Sequence, residues 1–278
     1  MAHNHTHHEF AADFARCRPF TLVPEHAARE AYDAVRLADS CAVPGDLLEA
    51  GVWKGGMSCV MTLAHMRSAA ASRPRRAVWL FDTFEGLPQP TKEDGARANE
   101  VWSAVHTHGE RNLSTAWLRK RVVARRDVTG TAWNLGPLAV VQRTMNATGF
   151  AAAGGRVEYV QGKVESTMNG SEAVELPAAI AAMRLDTDWY TSTKVELDVL
   201  WPKLSPGGYM TIDDYYSWAG ARQAVDEWLA RNGWRQAATQ VGAFLAHGHH
   251  RSSTVWKSQP YDSRTPFANR SDCIASTV

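Results

Sequence analysis

Four acidic residues sit within or just after apolar runs of strand length: Glu49 in Asp46-Leu47-Leu48-Glu49-Ala50, Asp82 after Val78-Trp79-Leu80-Phe81, Asp186 after Met183-Arg184-Leu185, and Asp213 after Met210-Thr211-Ile212. Ligands of open α/β sheets bind outside the carboxyl ends of the strands, so acids at those ends are poorly placed for a core and well placed for a ligand. Two of the sites are doubled, as Asp186-Thr187-Asp188 and Asp213-Asp214, with room between them for one helix and one return strand. Adjacent parallel strands would bring these four carboxylates to one edge. There they repel unless a cation holds them or they share protons. With no Cys or His interleaved, the ligand set suits Mg²⁺, Ca²⁺ or Mn²⁺ rather than zinc. Acids on two solvated loops are the alternative, and the pattern alone names no reaction.

Two further motifs lie upstream. Glu49-Ala50-Gly51-Val52-Trp53-Lys54-Gly55-Gly56 is a glycine-bearing turn between a strand and a helix. It is not the GxGxxG fingerprint, because Trp53 stands at the second glycine. Gly51 still lets the backbone approach a ligand, and Gly55-Gly56 lets the next helix start close by. In Asp82-Thr83-Phe84-Glu85-Gly86-Leu87-Pro88, the leading acid could accept two hydrogen bonds from a ribose diol or cap its own turn. Trp53 and Trp189 fall inside motifs and are candidates to line a ligand slot.

The elements that would position these residues alternate along the chain. Residues 24–40 read as a helix, with Ala27, Ala31, Val35 and Ala38 at spacings of three and four. A strand at 46–50, the turn, and a helix over 57–66 follow. Apolar strands at 77–81, 157–161, 182–185 and 208–212 alternate with helices such as 193–201 and 220–231, and a last strand is expected over 240–246. Fully apolar strands suit a parallel sheet covered on both faces. The expected class is therefore α/β: a doubly wound, mostly parallel sheet in one domain over 18–250. Residues 88–150 fit the alternation least and read as a partly helical insertion beside the site. The His-rich start reads as a flexible leader over 1–17, and 251–278 as a loosely packed tail.

Composition narrows the classes. In 278 residues, 45% are hydrophobic and 21% charged, which suffices to fill a core. A formal net charge of +1 supplies no basic field for nucleic acid. The basic run Arg119-Lys120-Arg121 with Arg125-Arg126 reads as a solvated face. His106, His108, His247, His249 and His250 have no fixed partner spacing and read as surface residues. No window is apolar over the ~18 residues that span a bilayer, and the start lacks the apolar core of a secretory signal. Four scattered cysteines without a CxxC pair lead to an expectation of reduced thiols and a cytoplasmic location. The leading helical segment could serve as a subunit contact in a homo-oligomer.

Taken together, Leu47–Gly56, FDTFEGLP (81–88), VQGKVEST (160–167), LDTDWYTST (185–193) and KLSPGGYMTIDDY (203–215) resemble the macrocin O-methyltransferase family, bacterial enzymes that methylate sugars of macrolide and aminocoumarin antibiotics. RPFTLVPEHAAREAYDAVR (18–36) is similar to that family's leading helical segment, and the resemblance covers roughly 18–234. It implies S-adenosylmethionine as methyl donor, with Glu49, Ala50, Gly51, Asp82, Thr83, Gly162 and Asp186 along it. It implies a divalent cation, usually Mg²⁺, on Asp186, Asp213 and Asp214, and Asp188 as general base toward a hydroxyl of a glycoside or other small natural product. A catechol-type acceptor, a metal-dependent phosphoesterase and a non-catalytic S-adenosylmethionine-binding protein are the alternatives. No P-loop supports the phosphoesterase.

Overall fold

The computed structural model describes residues 2–68, 75–108, 133–169, 172, 174–232 and 253–256. Helices α1 (Ala2–Cys17) and α2 (Glu25–Ser40) precede strand β1 (Asp46–Ala50). Then follow α3 (Gly56–Arg67), β2 (Val78–Asp82), α4 (Gly95–His108), α5 (Leu138–Ala147), β3 (Val157–Gln161), the single turn α6 (Val164–Thr167), β4 (Ile180–Leu185), α7 (Tyr190–Leu200), β5 (Leu204–Ile212), α8 (Ala219–Arg231) and β6 (Ser253–Trp256). The sheet order is β3-β2-β1-β4-β5-β6. β1 to β5 run parallel and β6 pairs antiparallel with β5. This is the doubly wound α/β sheet that the strand runs led us to expect.

Successive strand residues face opposite sides of the sheet, and both sides are buried. Leu47, Leu80 and Ala182 pack with Tyr32 and Val35 of α2, Met57 and Val60 of α3, and Val141 and Met145 of α5. Leu48, Phe81, Met183 and Met210 pack with Leu197 and Leu200 of α7 and Val225 and Trp228 of α8. That is why the strands read as unbroken apolar runs rather than alternating ones.

Three expectations change. The leader is not a separate flexible segment: α1 begins at Ala2, and Phe10, Phe14 and Cys17 are buried against α2 and α3. Phe10 stacks on Phe14 at 5.5 Å, and Tyr32 donates to the buried Asp13 carboxylate. Aromatic anchors behind the histidines outweigh the polar composition that suggested a leader. The expected insertion over 88–150 divides, because α5 is the crossover helix between β2 and β3, while α4 lies over the other side of the site. Cys17 and Cys59 are free and buried, but Cys41 is disulfide-bonded, so the expectation of reduced thiols does not hold for it. The expected strand at 240–246, the basic run at 119–126 and the side chains of His106, His108, His247, His249 and His250 lie outside the described residues. Among the described residues no helix is long and apolar enough to cross a membrane.

The strand order reverses between β1 and β4, so the loops leaving these strands part and open a crevice at their carboxyl ends. The turn after β1 approaches the one after β4 closely. Gly51 has φ +80°, and a Cβ on it would overlap the Asp186 carbonyl. Left-handed backbone costs a residue with a side chain about 1–3 kcal/mol before any overlap is counted. Gly51→Ala is expected to lower the thermal midpoint by about 3–10 °C, at roughly 2–4 °C per kcal/mol for a domain of this size, which circular dichroism would read.

Candidate active site

The crevice is a cavity of about 380 Å³, lined from the ends of all five parallel strands. Glu49 and Gly51 come from β1, Asp82 and Thr83 from β2, Gly162 and Lys163 from β3, Asp186, Thr187 and Asp188 from β4, and Asp213 and Asp214 from β5. The acids singled out in the sequence thus meet in one place with Gly51 and Gly162, whereas Gly55 and Gly56 do not line the cavity. Ala50 does not line the cavity. It is buried in the sheet, where its carbonyl accepts the Asp186 N–H at 2.8 Å.

Arg184 organises the acids. It is the one cation inside the otherwise apolar β4, and its buried guanidinium reaches three carboxylates. Nη1 donates to Glu49 Oε1 at 2.9 Å and to Asp186 Oδ2 at 2.7 Å. Nη2 lies 2.7 Å from Asp213 Oδ1, an ion pair off the line of a hydrogen bond. Ser58 of α3 donates to the other oxygen of Glu49. Burial pushes the Glu49 carboxyl above its ordinary range, with Arg184 and Ser58 pulling the other way. Burial also lifts Asp186 well above that range, helped by Asp213, Asp214 and Asp188 and opposed by Arg184. Burial disfavours charge on Arg184 too, but Asp186, Asp213 and Glu49 outweigh it and hold the guanidinium firmly protonated.

Asp186 also forms a group with the remaining acids of the two doublets, Asp188 and Asp214. One carboxylate oxygen from each of Asp186, Asp188 and Asp214 lies within 4.8 Å of the others. The three expected cation ligands were Asp186, Asp213 and Asp214; the structure puts Asp188 in the cluster and turns Asp213 toward Arg184. Behind this loop the wholly buried Glu196 of α7 has its carboxyl pushed well above its usual range by burial.

Asp82 shapes the turns around it. Its Oδ2 accepts the Val52 and Trp53 N–H groups at 2.7 and 3.0 Å, and Oδ1 accepts the Phe84 N–H at 2.7 Å. Burial raises its pKa against these three donors. Thr83 donates to the Gly86 carbonyl at 2.7 Å and so folds the FDTFEGLP loop. Gly162, at φ +139°, donates its N–H to the Asp82 carbonyl at 3.0 Å. Trp53 lines the cavity, whereas Trp189 is buried beside it among other tryptophans.

The match to known proteins fits this geometry. Residues 4–116 and 129–247 match the family described as Macrocin-O-methyltransferase (TylF). The chain belongs to the macrocin-O-methyltransferase family. A tetracenomycin-C rhamnosyl 4'-O-methyltransferase of Streptomyces olivaceus is 33% identical over 81% of this chain and 72% of its own length. The mycinamicin III 3''-O-methyltransferase of Micromonospora griseorubida is 32% identical over 69% of this chain and 63% of its own. Among solved structures, the O-methyltransferase NovP superposes with a TM-score of 0.61 at 24% identity, over 86% of this chain and 83% of NovP. The calicheamicin methyltransferase CalS11 gives 0.53 at 17%, over 88% and 91%. These two likenesses concern the fold.

Three parts of this macrocin-O-methyltransferase site carry no role in the sequence motifs. Arg184 could have been found, because a lone cation in an apolar strand must have buried partners. The segment from Phe20 to Ala27, which links α1 to α2 and includes the first turn of α2, forms one wall of the cavity and brings His26 to it, and no local pattern announces that. Trp218 donates its indole N–H to Asp188 Oδ1 at 2.7 Å, a contact between residues thirty positions apart.

Breaking a buried ion pair by removing one partner typically costs about 3–5 kcal/mol. Arg184→Met is therefore expected to destabilise the fold by about that much at pH 8, measured by urea unfolding. Without the guanidinium, Glu49 and Asp186 bind protons more tightly when folded than when unfolded. Folded carboxyls with raised pKa values lose stability as pH rises, so the deficit should shrink at pH 5.

Proposed function

We propose that this chain transfers a methyl group from S-adenosylmethionine to a hydroxyl of a sugar carried by a small natural product, assisted by a hard divalent cation. The observation that supports this most directly is the convergence of Asp186, Asp188 and Asp214 in the strand-end cavity of a chain of this family. The two curated relatives bear the names of O-methyltransferases acting on a rhamnosylated tetracenomycin and on mycinamicin III, which points the acceptor class the same way.

The residues present fit both groups. Glu49, Gly51, Asp82, Thr83 and Gly162 border the half of the cavity over β1 to β3, where a nucleoside lies in doubly wound sheets. Gly51 leaves the backbone open to a close ligand. Asp82 acts there mainly by fixing Val52 and Trp53, since its oxygens already accept three N–H groups. Asp186 and Asp214 offer the carboxylate oxygens that Mg²⁺ or Ca²⁺ takes, Asp213 would join them on leaving Arg184, and Asp188, beside them in the cluster, keeps its carboxylate for the acceptor hydroxyl. A cation held there would supply a fixed positive charge that positions an acceptor hydroxyl and makes it more acidic.

The chain's own groups do the rest. The cavity holds donor and acceptor together, which in well-oriented systems supplies up to about 7–11 kcal/mol of the barrier. Asp188 takes the hydroxyl proton as that oxygen takes the methyl group. General base catalysis of this kind contributes roughly 10²–10⁴-fold. Arg184 keeps Asp186 and Asp213 in place without adding net negative charge to the site.

Radiolabelled S-adenosylmethionine presented with glycosides and catechols, with and without Mg²⁺, tests the reading. Label should pass to a glycoside and stop after EDTA treatment, returning with Mg²⁺. Full-rate transfer by the EDTA-treated protein would remove the cation from the account. Asp188→Asn should keep S-adenosylmethionine binding, read by calorimetry, and lose about 10²-fold or more in kcat.

A further inference from the structure

We infer that Trp218 is a positioning residue for Asp188, fixing the carboxylate's rotation through its indole N–H and anchoring a strained turn. The inference rests on the general-base reading of Asp188 above.

Asp188 sits in backbone that a non-glycine residue rarely adopts. Its φ is +67°, and the N–H of Trp189 donates to the carbonyl of Thr187 at 2.8 Å. A bond from i+2 back to i across a residue of positive φ is a γ-turn of the rare, strained kind. Such strain persists only where the surroundings over-determine it. They do so here from four separate segments. Trp218, the residue just before α8, donates to Asp188 Oδ1 at 2.7 Å and is itself buried. Trp189 donates its indole N–H to the Pro88 carbonyl at 2.9 Å. Asp94, at the head of α4, accepts the Tyr190 N–H at 2.6 Å and so caps α7 directly after the turn. Trp133 completes a cluster in which the three indole rings meet edge to face, with centroids 5.3–5.9 Å apart.

A cluster of apolar rings would hold the turn by packing alone. The indole N–H adds direction. A carboxylate free to rotate would present its lone pairs to the acceptor hydroxyl only part of the time, whereas one oxygen held by a buried donor fixes the plane of both. Edge-to-face contact with Trp133 and Trp189 in turn fixes the Trp218 ring, so the donor cannot swing away.

Trp218→Phe keeps most of the ring and removes the donor. Its expected effect is a 10- to 100-fold loss in kcat, with acceptor KM and S-adenosylmethionine affinity within about threefold of the parent. Displacement of a catalytic group by about 1 Å produces losses of that size. Trp228→Phe, which removes a buried indole from the core pair with Trp201, should leave kcat within about twofold. Trp218→Met fills the space without an N–H and carries the same expectation, so it stands in if the Phe variant does not fold. In an Asp188→Asn background, Trp218→Phe should change the residual rate by less than about twofold, because a residue acting through another has nothing left to act on. A folded Trp218→Phe or Trp218→Met protein with kcat within twofold of the parent overturns the inference, as does a loss that multiplies in the Asn background. If Asp188→Asn itself keeps full turnover, the general-base reading fails and this inference falls with it, a result distinct from the other two.

Discussion

A single buried guanidinium ties the carboxyl ends of three strands together. Arg184 belongs to the central strand β4 and pairs with Glu49 of β1, with Asp186 at its own strand end and with Asp213 beyond β5. Charges removed from water are tolerated only when paired and hydrogen-bonded. The acids could not gather at this edge without the cation, and the cation could not lie inside an apolar strand without them. The pairing also sorts the acids. Glu49, Asp186 and Asp213 engage Arg184, while Asp188 and Asp214 complete, with Asp186, the oxygen cluster at the cavity. Asp186 belongs to both sets and couples the buried ion pair to the carboxylate cluster.

The switch in strand order determines where this happens. β1 and β4 are neighbours whose onward chains go to opposite faces, so their ends alone leave space above the sheet. The glycine turn after β1 fills part of that space, and its closeness to the Asp186 carbonyl shows how little clearance remains. Asp82 accepts hydrogen bonds from the turn's Val52 and Trp53 and from Phe84 of its own loop, and the carbonyl of Asp82 binds Gly162. The loops after β1, β2 and β3 are thereby held as one rigid rim.

Much of this was legible in the residue order, for a definite reason. Strands buried on both faces are apolar except where a charge is paired, as with Glu49 and Arg184, so the first acid often marks a strand end, as at Phe81-Asp82 and Ile212-Asp213. The glycines mark where backbone must pass close to backbone. What was not legible depends on pairings distant in sequence. Trp218 reaches Asp188 only because α8 begins beside the turn after β4. The histidine-rich start suggested a leader because composition registers polarity, while Phe10 and Phe14 show their purpose only once α2 and α3 lie beneath them. The pairing of Asp213 was hidden for a similar reason: the sequence shows four nearby acids, but not which of them Arg184 engages.

The wall formed by Phe20 to Ala27 has a consequence for how the protein comes into being. That segment leaves the ribosome early, yet the surface it completes also needs Asp213, Asp214 and Ser217. Nascent chains emerge from their amino end, so the first half of the sheet can form with the crevice still lacking its opposite bank. The cavity is therefore completed only late in synthesis, after β5 and the loop that follows it have docked against β4.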